Sequence, residues 1–390
     1  MVGELKMKSE FKNLPSGWKV VRLGDVCEIN PSSRKLPEKF YYIDLESVEK
    51  GILHSLKEVF LETAPSRAQR LLEKGDILFQ MVRPYQKNNF LFELNGDFVA
   101  STGYAQIRTK QNRDFIFQYL NFDTFTKKVI EKCTGSNYPA INASVFSNLM
   151  ILLPTLDEQE KIAEILSTWD EAINLTINLI ESKKQFKKAL MQNLLTAKIN
   201  WHTTTLGSTG EIITGSTPST TNEKFWNGEI AWITPTDIGD KKDIFIGERS
   251  ITQDGLKTIR ELPANSLLVT CIASIGKNAI LKVKGSCNQQ INALIPNKNF
   301  NVDFLYYLLE FEKERLKNLA GITATLIISK ALFSKFKISF PNIIEQQKIA
   351  EVLTACDDEI NLLNLKLENL KKQKQGLMQK LLSGKVRTRI

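Results

Sequence analysis

The segment that opens at Pro154, P-T-L-D-E-Q-E-K-I-A-E-I-L-S-T-W-D-E-A-I-N-L, returns at Pro341 as P-N-I-I-E-Q-Q-K-I-A-E-V-L-T-A-C-D-D-E-I-N-L, an offset of 187 residues (341 − 154) with no gap. The match runs on to A-L-M-Q-N-L-L-T-A-K (Ala189–Lys198) and G-L-M-Q-K-L-L-S-G-K (Gly376–Lys385), and about half of the 45 paired positions are identical. Chance does not produce such a match, so the chain carries a duplicated segment, and a duplication constrains architecture before any other property does. Weaker echoes precede each copy. Trp18 with Leu23-Gly24 answers Trp201 with Leu206-Gly207, and G-D-I-L-F (Gly75–Phe79) answers N-S-L-L-V (Asn265–Val269). F-I-F-Q-Y-L (Phe115–Leu120) answers F-L-Y-Y-L-L (Phe304–Leu309), and S-V-F-S-N-L-M-I-L-L-P (Ser144–Pro154) answers A-L-F-S-K-F-K-I-S-F-P (Ala331–Pro341). The chain therefore reads as two tandem halves, each a variable domain followed by a constant segment.

The constant segments read as long helices, because each starts after a proline and has acids in its first turn. In the second copy apolar residues step by four and three through Ile349, Leu353, Cys356, Ile360, Leu363, Leu367, Leu370, Leu377 and Leu381, with Lys374 as the one interruption. That is a heptad seam. The first copy follows with Ile162, Leu166, Trp169, Ile173, Ile180, Leu190 and Leu194; Thr176, Lys183 and Lys187 weaken its middle, where Ile177, Leu179 and Phe186 are the apolar alternatives. A helix of about 40 residues spans roughly 60 Å. Two similar seams in one chain point to pairing with each other, with a generic dimerising coiled coil as the alternative. The variable domains hold short β-type runs (Val20–Leu23, Ile77–Val82, Phe98–Ile107, Ile230–Ile233, Leu267–Ile272, Asn292–Ile295) and helical patterns over Phe115–Lys132 and Val302–Leu319. The expected fold class is thus α+β, with strand-rich cores alternating with two long helices.

Composition narrows function mainly by exclusion. The 390 residues are 42% apolar and 24% charged, ordinary for a globular chain, and no apolar run approaches the roughly 20 residues of a spanning helix. Met1 to Asn13 is charged and lacks an apolar stretch, the pattern expected of a chain without a signal peptide that stays in the cytoplasm. Five scattered cysteines and two distant histidines, His54 and His202, offer neither a disulfide framework nor metal-ligand spacing, so no metal site is expected. No phosphate-binding loop, dinucleotide fingerprint, serine elbow, zinc-protease helix or amino-methyltransferase pocket is present, so no catalytic residue is expected. A net charge of +9, from 52 basic against 43 acidic residues, favours an anionic partner, nucleic acid first.

Base edges and phosphates are read by Arg, Lys, Asn, Gln, Ser and Thr, with backbone N–H groups assisting. The loops between β-type runs supply these side chains. In the first half the DNA-contact candidates are Arg83, Tyr85, Gln86, Lys87 and Asn88, then Ser101, Thr102 and Tyr104, then Ser136, Asn137 and Tyr138. In the second half they are Ser216, Thr217, Ser219 and Thr220, then Ser274 and Lys277, then Asn288, Gln289 and Gln290. Basic residues also gather late in each long segment: Lys183, Lys184, Lys187, Lys188 and Lys198, and Lys371, Lys372, Lys374, Lys380, Lys385, Arg387 and Arg389. Helix-dipole complementation explains many of these, and phosphate or partner contact the rest.

Two variable domains alternating with two near-identical helices resemble the specificity (HsdS) subunit of type I restriction–modification systems. The motifs that carry the resemblance are P-x-x-x-E-Q-x-K-I-A-E-x-L (Pro154 to Leu166, Pro341 to Leu353) and L-M-Q-x-L-L-[TS]-x-K (Leu190 to Lys198, Leu377 to Lys385). G-W-K-x-V-x-L-G-D (Gly17 to Asp25) and T-G-S-T-P-S…F-W-N-G-x-I-x-W-I-T-P-T-D-I (Thr214 to Ile238) add to it. The resemblance spans nearly the whole chain after Leu14. It implies target recognition domains at 14–153 and 201–340, conserved helical regions at 154–200 and 341–390, and a pseudo-two-fold antiparallel coiled coil between them. It further implies that each recognition domain reads half of a bipartite site in double-stranded DNA. The conserved regions would dock two methyltransferase subunits, with Glu158, Gln159, Lys161, Glu345, Gln346 and Lys348 as the partner-binding candidates, and restriction subunits would join through them. S-adenosylmethionine would then sit on the methyltransferase, and ATP and Mg on the restriction subunit, with no cofactor on this chain. The alternatives are a non-catalytic DNA-binding or scaffold protein without a methyltransferase partner, and an enzyme with its own active site.

Overall fold

Pro154 and Pro341 each open a long helix, as their sequences require. In the computed structural model, which describes residues 14–32, 35–239, 241–320 and 327–388, five helices carry the construction: α1 (Arg113–Leu120), α2 (Asp123–Glu131), α3 (Leu156–Leu195), α4 (Val302–Phe311) and α5 (Ile343–Leu381). The segment before Leu14 and Arg389 lie outside the described residues. No described helix is long and apolar enough to cross a membrane. The chain forms two compact units that cut across the expected four-part order: residues 1–177 with 366–390, and residues 178–365. Each unit thus holds one variable domain, the first part of one long helix and the last part of the other.

The first unit opens with β1 (Lys19–Arg22), which pairs antiparallel with β10 (Met150–Leu153). Between them lie two four-stranded sheets. One has the order β4 (Lys57–Phe60), β3 (Lys39–Ile43), β8 (Phe98–Ser101), β5 (Ala68–Leu71), and β3 and β8 run parallel. The other has the order β2 (Cys27–Ile29), β9 (Tyr104–Thr109), β6 (Ile77–Gln80), β7 (Phe90–Leu91). Strand β6 is buried along its whole length, which is why it reads as a continuous apolar run rather than an alternating one. Ile77 and Phe79 face a core shared with α1, α2 and the helix ends, whereas Leu78 faces the other sheet.

The second unit repeats this plan. β11 (His202–Thr205) pairs with β20 (Lys337–Phe340). A five-stranded sheet has the order β12 (Gly210–Thr214), β19 (Ile291–Pro296), β16 (Ser266–Thr270), β17 (Asn278–Leu281), β14 (Asp243–Ile244). A three-stranded sheet has the order β15 (Arg249–Ile251), β13 (Trp226–Ile233), β18 (Gly285–Cys287), and β13 and β18 run parallel as β3 and β8 do. Leu267 and Val269 face the helices and Leu268 the second sheet, as in β6.

The helix seams repeat as well. Ile162, Ala163 and Leu166 enter the first core with Met378 and Leu382; Ile349, Ala350 and Leu353 enter the second with Met191 and Leu195. The helix segments run antiparallel within each unit. Lys374 donates to Asp170 at 2.5 Å in the first unit, and in the second Lys187 donates to Asp357 at 2.5 Å and Lys183 lies 2.7 Å from Glu359. The lysine that interrupts the second seam is therefore a paired residue, and Lys187 is its counterpart. Thr176 is buried and bonded to the carbonyl of Ala172, and Lys183 and Lys187 keep their places in the seam, so Leu179 and Phe186 do not replace them and stand exposed. Three expected elements are broken, the Val302–Leu319 pattern dividing at Glu312 between α4 and a short helix over Lys313–Lys317. The Phe115–Lys132 pattern divides into α1 and α2 at Asn121-Phe122, and the Phe98–Ile107 run divides into β8 and β9 at Thr102-Gly103, where a Cβ on Gly103 would meet Leu45 at 2.9 Å.

Each aspartate of the cross-helix pairs also grips its variable domain. Asp170 accepts from the Gln118 amide on α1 at 2.6 Å, and Asp357 accepts from the Tyr307 hydroxyl on α4 at 2.7 Å. Burial, with Asp357 adding to it, pushes the Tyr307 hydroxyl far above its ordinary pKa, so it stays a donor. A second tie lies one turn from each helix start. Gln159 accepts from the Asn112 backbone N–H at 3.1 Å and donates to the Pro154 carbonyl at 2.9 Å; Gln346 accepts from Asn301 at 3.0 Å and donates to the Pro341 carbonyl at 2.9 Å. Asn112 and Asn301 are themselves the N-caps of α1 and α4, which is the favoured residue type at that position.

Candidate nucleic-acid interface

Seven of the twenty predicted contact residues line one cleft in each unit, and burial sorts the rest. In both units the chain leaves the central strand through a residue with positive φ, Arg83 (φ 54°) after β6 and Ala273 (φ 59°) after β16. Non-glycine residues rarely adopt this region, and they keep it only when the surroundings hold them there. The Arg83 N–H donates to the Pro139 carbonyl at 2.7 Å, and bridges join Val82 to Ala140 and Ile272 to Ile327. Beside each kink lies an open cleft. The first, about 650 Å³, is lined by Leu45, Glu46, Val48, Glu49, Lys50, Arg67, Gln80, Val82, Arg83, Gln86, Asn88 and Tyr138. The second, about 520 Å³, is lined by Trp232, Thr234, Pro235, Thr236, Glu248, Arg249, Ile272, Ala273, Ser274, Asn288 and Gln290.

Of the candidates in the first half, Arg83, Gln86, Asn88 and Tyr138 reach the cleft, and Tyr85, Ser136 and Asn137 are exposed near it in sequence. Thr102 is half-buried and its N–H donates to the Arg67 carbonyl. Three residues are set aside on physical grounds. Ser101 is buried and accepts from the Gly103 N–H; Tyr104 is fully buried, with its hydroxyl on the Asp44 carbonyl and its pKa raised by burial and by Asp44. Lys87 turns its ammonium onto the Asn121 carbonyl and the Asp123 carboxylate. Burial pushes Asp123 upward, but the bonds from Lys87 and Gln375 outweigh it and hold the carboxyl below its usual range.

In the second half Ser274, Asn288 and Gln290 line the cleft, although the Asn288 amide is engaged with Gln290 at 3.0 Å. Lys277, Gln289, Ser219 and Thr220 are exposed, and Thr217 donates to Gln289 at 2.6 Å. Ser216 is half-buried, accepting from the Arg260 N–H at 3.2 Å.

The sequence reading missed Lys50 and Arg67 in the first cleft and Thr234, Thr236 and Arg249 in the second. The W-I-T-P-T-D-I motif contains two of them. Its Asp237 accepts from the Thr234 N–H and the Glu248 N–H, each at 2.7 Å, and so shapes the cleft wall.

The partner-binding candidates divide similarly. Glu158, Gln159 and Gln346 are buried and bonded within their own units, so they hold the fold rather than offer a surface; Lys161 and Lys348 are exposed, and Glu345 is half-buried. Glu158 accepts from the Trp18 indole at 2.9 Å and takes both forks of Arg387 at 2.8 and 2.9 Å. In the second unit Lys198 stands only within 3.7 Å of Glu345, and the Trp201 indole N–H has no hydrogen-bond partner among the described residues. Lys187, Lys374 and Arg387 are thus committed to partly buried ion pairs, whereas Lys183, Lys198 and Lys371 form more exposed ones.

The family model described as the Type I restriction modification DNA specificity domain matches this chain twice, over residues 15–182 and 198–372. The chain belongs to the type I restriction–modification specificity family. It is similar to the HindI specificity subunit of Haemophilus influenzae, 24% identical over 86% of this chain and 93% of that one. It is also similar to the putative MjaX specificity subunit of Methanocaldococcus jannaschii, 26% identical over 98% and 96%. A chain solved in work on complex assembly and conformational transition of a type I R-M system shares the fold, with a TM-score of 0.64 at 22% identity over 96% of this chain and all of that one. The type I S subunit from M. genitalium does so with a TM-score of 0.62 at 15% identity, over 95% and 96%. Two specificity domains in one chain make it a bipartite DNA specificity subunit of the type I family.

Proposed function

We propose that each cleft reads one half of a split DNA target and that the long helices hold the two readings at a fixed separation. The observation that carries this is the mounting. Each cleft is built on the same strand-and-kink frame, and each frame is tied to the long helices by an equivalent Asp–Lys pair and an equivalent buried glutamine. Two weak readers on a stiff connection gain from effective concentration only when their spacing fits the target. Inserting whole heptads into α3 and α5 shifts the accepted spacer, and an unchanged spacer overturns the ruler.

The chain supplies specificity and two methyltransferase subunits supply the chemistry, with S-adenosylmethionine on the methyltransferase and ATP and Mg on any restriction subunit. Exposed apolar residues on the long helices in the second unit, Leu179 and Phe186 on α3 and Leu362 and Leu365 on α5, support docking of a partner there, because solvated helices seldom leave such residues bare. Lys161 and Lys348 remain as polar docking candidates. The recognition regions lie at 14–153 and 201–340, and the chain acts in the cytoplasm. The deciding experiment is the adenine-methylation map of the host genome with and without the gene. Loss of one split motif on deletion supports the proposal, and an unchanged map overturns it.

A further inference from the structure

We infer that each specificity domain reads one guanine, through Arg83 in the first and Arg249 in the second. The inference rests on the proposed DNA reading and names the base that each cleft takes.

Five of the ten described arginines are committed within the protein. Arg108 is bonded to Asp76, Arg113 to Glu93, Arg315 to Glu312, Arg387 to Glu158, and Arg260 to the Thr214 carbonyl. Arg83 and Arg249 differ on three counts. Each lines its cleft. Neither guanidinium has a carboxylate or hydrogen-bond partner among the described residues. Each is stacked on aromatic faces: Arg83 lies 4.2 Å from the Tyr138 ring centroid, and Arg249 lies 3.7 Å from that of Trp226 and 5.4 Å from that of Trp232.

The platforms are themselves held. The Trp226 and Trp232 indoles donate to the Ser219 and Ser216 carbonyls, each at 3.0 Å, and the two rings meet edge to face. Tyr138 is 65% exposed, so its ring contributes little to a core and its contact is the arginine. Stacking fixes the plane of a guanidinium while leaving its edge donors free, which lowers the ordering cost of the next contact. A planar fork of unmet donors, held in a cleft, matches the O6 and N7 acceptors on the major-groove edge of guanine. The two arginines come from non-equivalent places, a kink after a central strand and an edge strand, yet reach the same arrangement. Arg67 also reaches the first cleft but lacks an aromatic support, which suits a phosphate anchor better than a base reader.

The test uses the intact methyltransferase complex in cells and maps adenine methylation for the native chain and for Arg83→Lys, Arg83→Ala, Arg249→Lys and Arg249→Ala. Lysine keeps the charge and loses the fork. Expected are a G·C pair in each native half-site and, in each variant, at least about tenfold relaxed discrimination at one G·C position of one half-site, with the other half-site unchanged. A fall in methylation spread evenly over all sites assigns these arginines to phosphate and overturns the inference, as does an unaltered motif or complete loss of methylation in the lysine variants. If the native chain yields no split motif, it is the DNA reading beneath the inference that fails.

Discussion

The two units are most alike at the polar ties that mount each variable domain on the long helices and least alike at the clefts. The Asp–Lys pair, its grip on the variable-domain helix and the glutamine beneath it recur with distances that agree within about a tenth of an ångström. The clefts share a frame and almost no side chains: Arg83, Gln86 and Tyr138 in one, Arg249, Trp232 and Thr234 in the other. A buried polar group that loses its partner costs stability in either copy, whereas an exposed loop side chain costs little to replace. The duplicated scaffold can therefore stay constant while the reading surfaces diverge.

The sharpest break in the likeness is at the glutamates. Replacing Glu158 by alanine strips the Trp18 indole and Arg387 of a fully buried acceptor and is expected to cost about 3 kcal/mol, whereas Glu345→Ala, which loses only a long contact to Lys198, costs less than about 1 kcal/mol. Urea unfolding of both variants checks this, and equal losses would contradict the asymmetry. The aspartates should restore the likeness. Asp170→Ala and Asp357→Ala each lose a partly buried cross-helix pair and a hydrogen bond, for about 2 kcal/mol apiece. Adding Lys187→Met to Asp357→Ala recovers part of the loss, as a double-mutant cycle would show. Gln159→Ala and Gln346→Ala leave the Asn112 and Asn301 N–H groups without their acceptor and cost about 1–2 kcal/mol each, measured in the same way.

The smallest effect is one of pH. Burial pushes the Cys27 and Cys271 thiols up to about 11 and Cys287 to about 12, from an ordinary value near 9. A raised pKa means that the folded state resists ionisation, so this stability is whole below pH 9 and is lost as pH rises toward 11–12. Urea midpoints should fall over that window. Thiol labelling at pH 8 should reach Cys133 and Cys356 first and the other three only on unfolding.

Local pattern made the long helices legible. Every seam residue of the second copy, from Ile349 to Leu381, is buried or half-buried, Lys374 included. The runs at β6 and β16 were legible because both strands are buried on both faces, and only the ends of these two moved. What local pattern cannot carry is pairing at a distance. Trp18 and Glu158 are 140 residues apart and Glu158 and Arg387 are 229 apart, so the E-Q motif reads as an exposed docking patch until the fold buries it. The site divides in the same way. Polar loops announced the neighbourhood of the clefts, but Lys87, Ser101 and Tyr104 turn inward through contacts that loop composition does not record, and Arg249 acquires its meaning from Trp226, 23 positions earlier across a strand pair.

The make-up of the units also sets an order of events during synthesis. The second unit is a single stretch, residues 178–365, and every part of it has been made once that stretch leaves the ribosome. The first unit begins earlier but must wait for residues 366–390, which supply Met378, Leu381 and Leu382 to its core and Arg387 to Glu158. The unit whose synthesis begins first therefore cannot close until residues 366–390 are made, after every residue of the second unit.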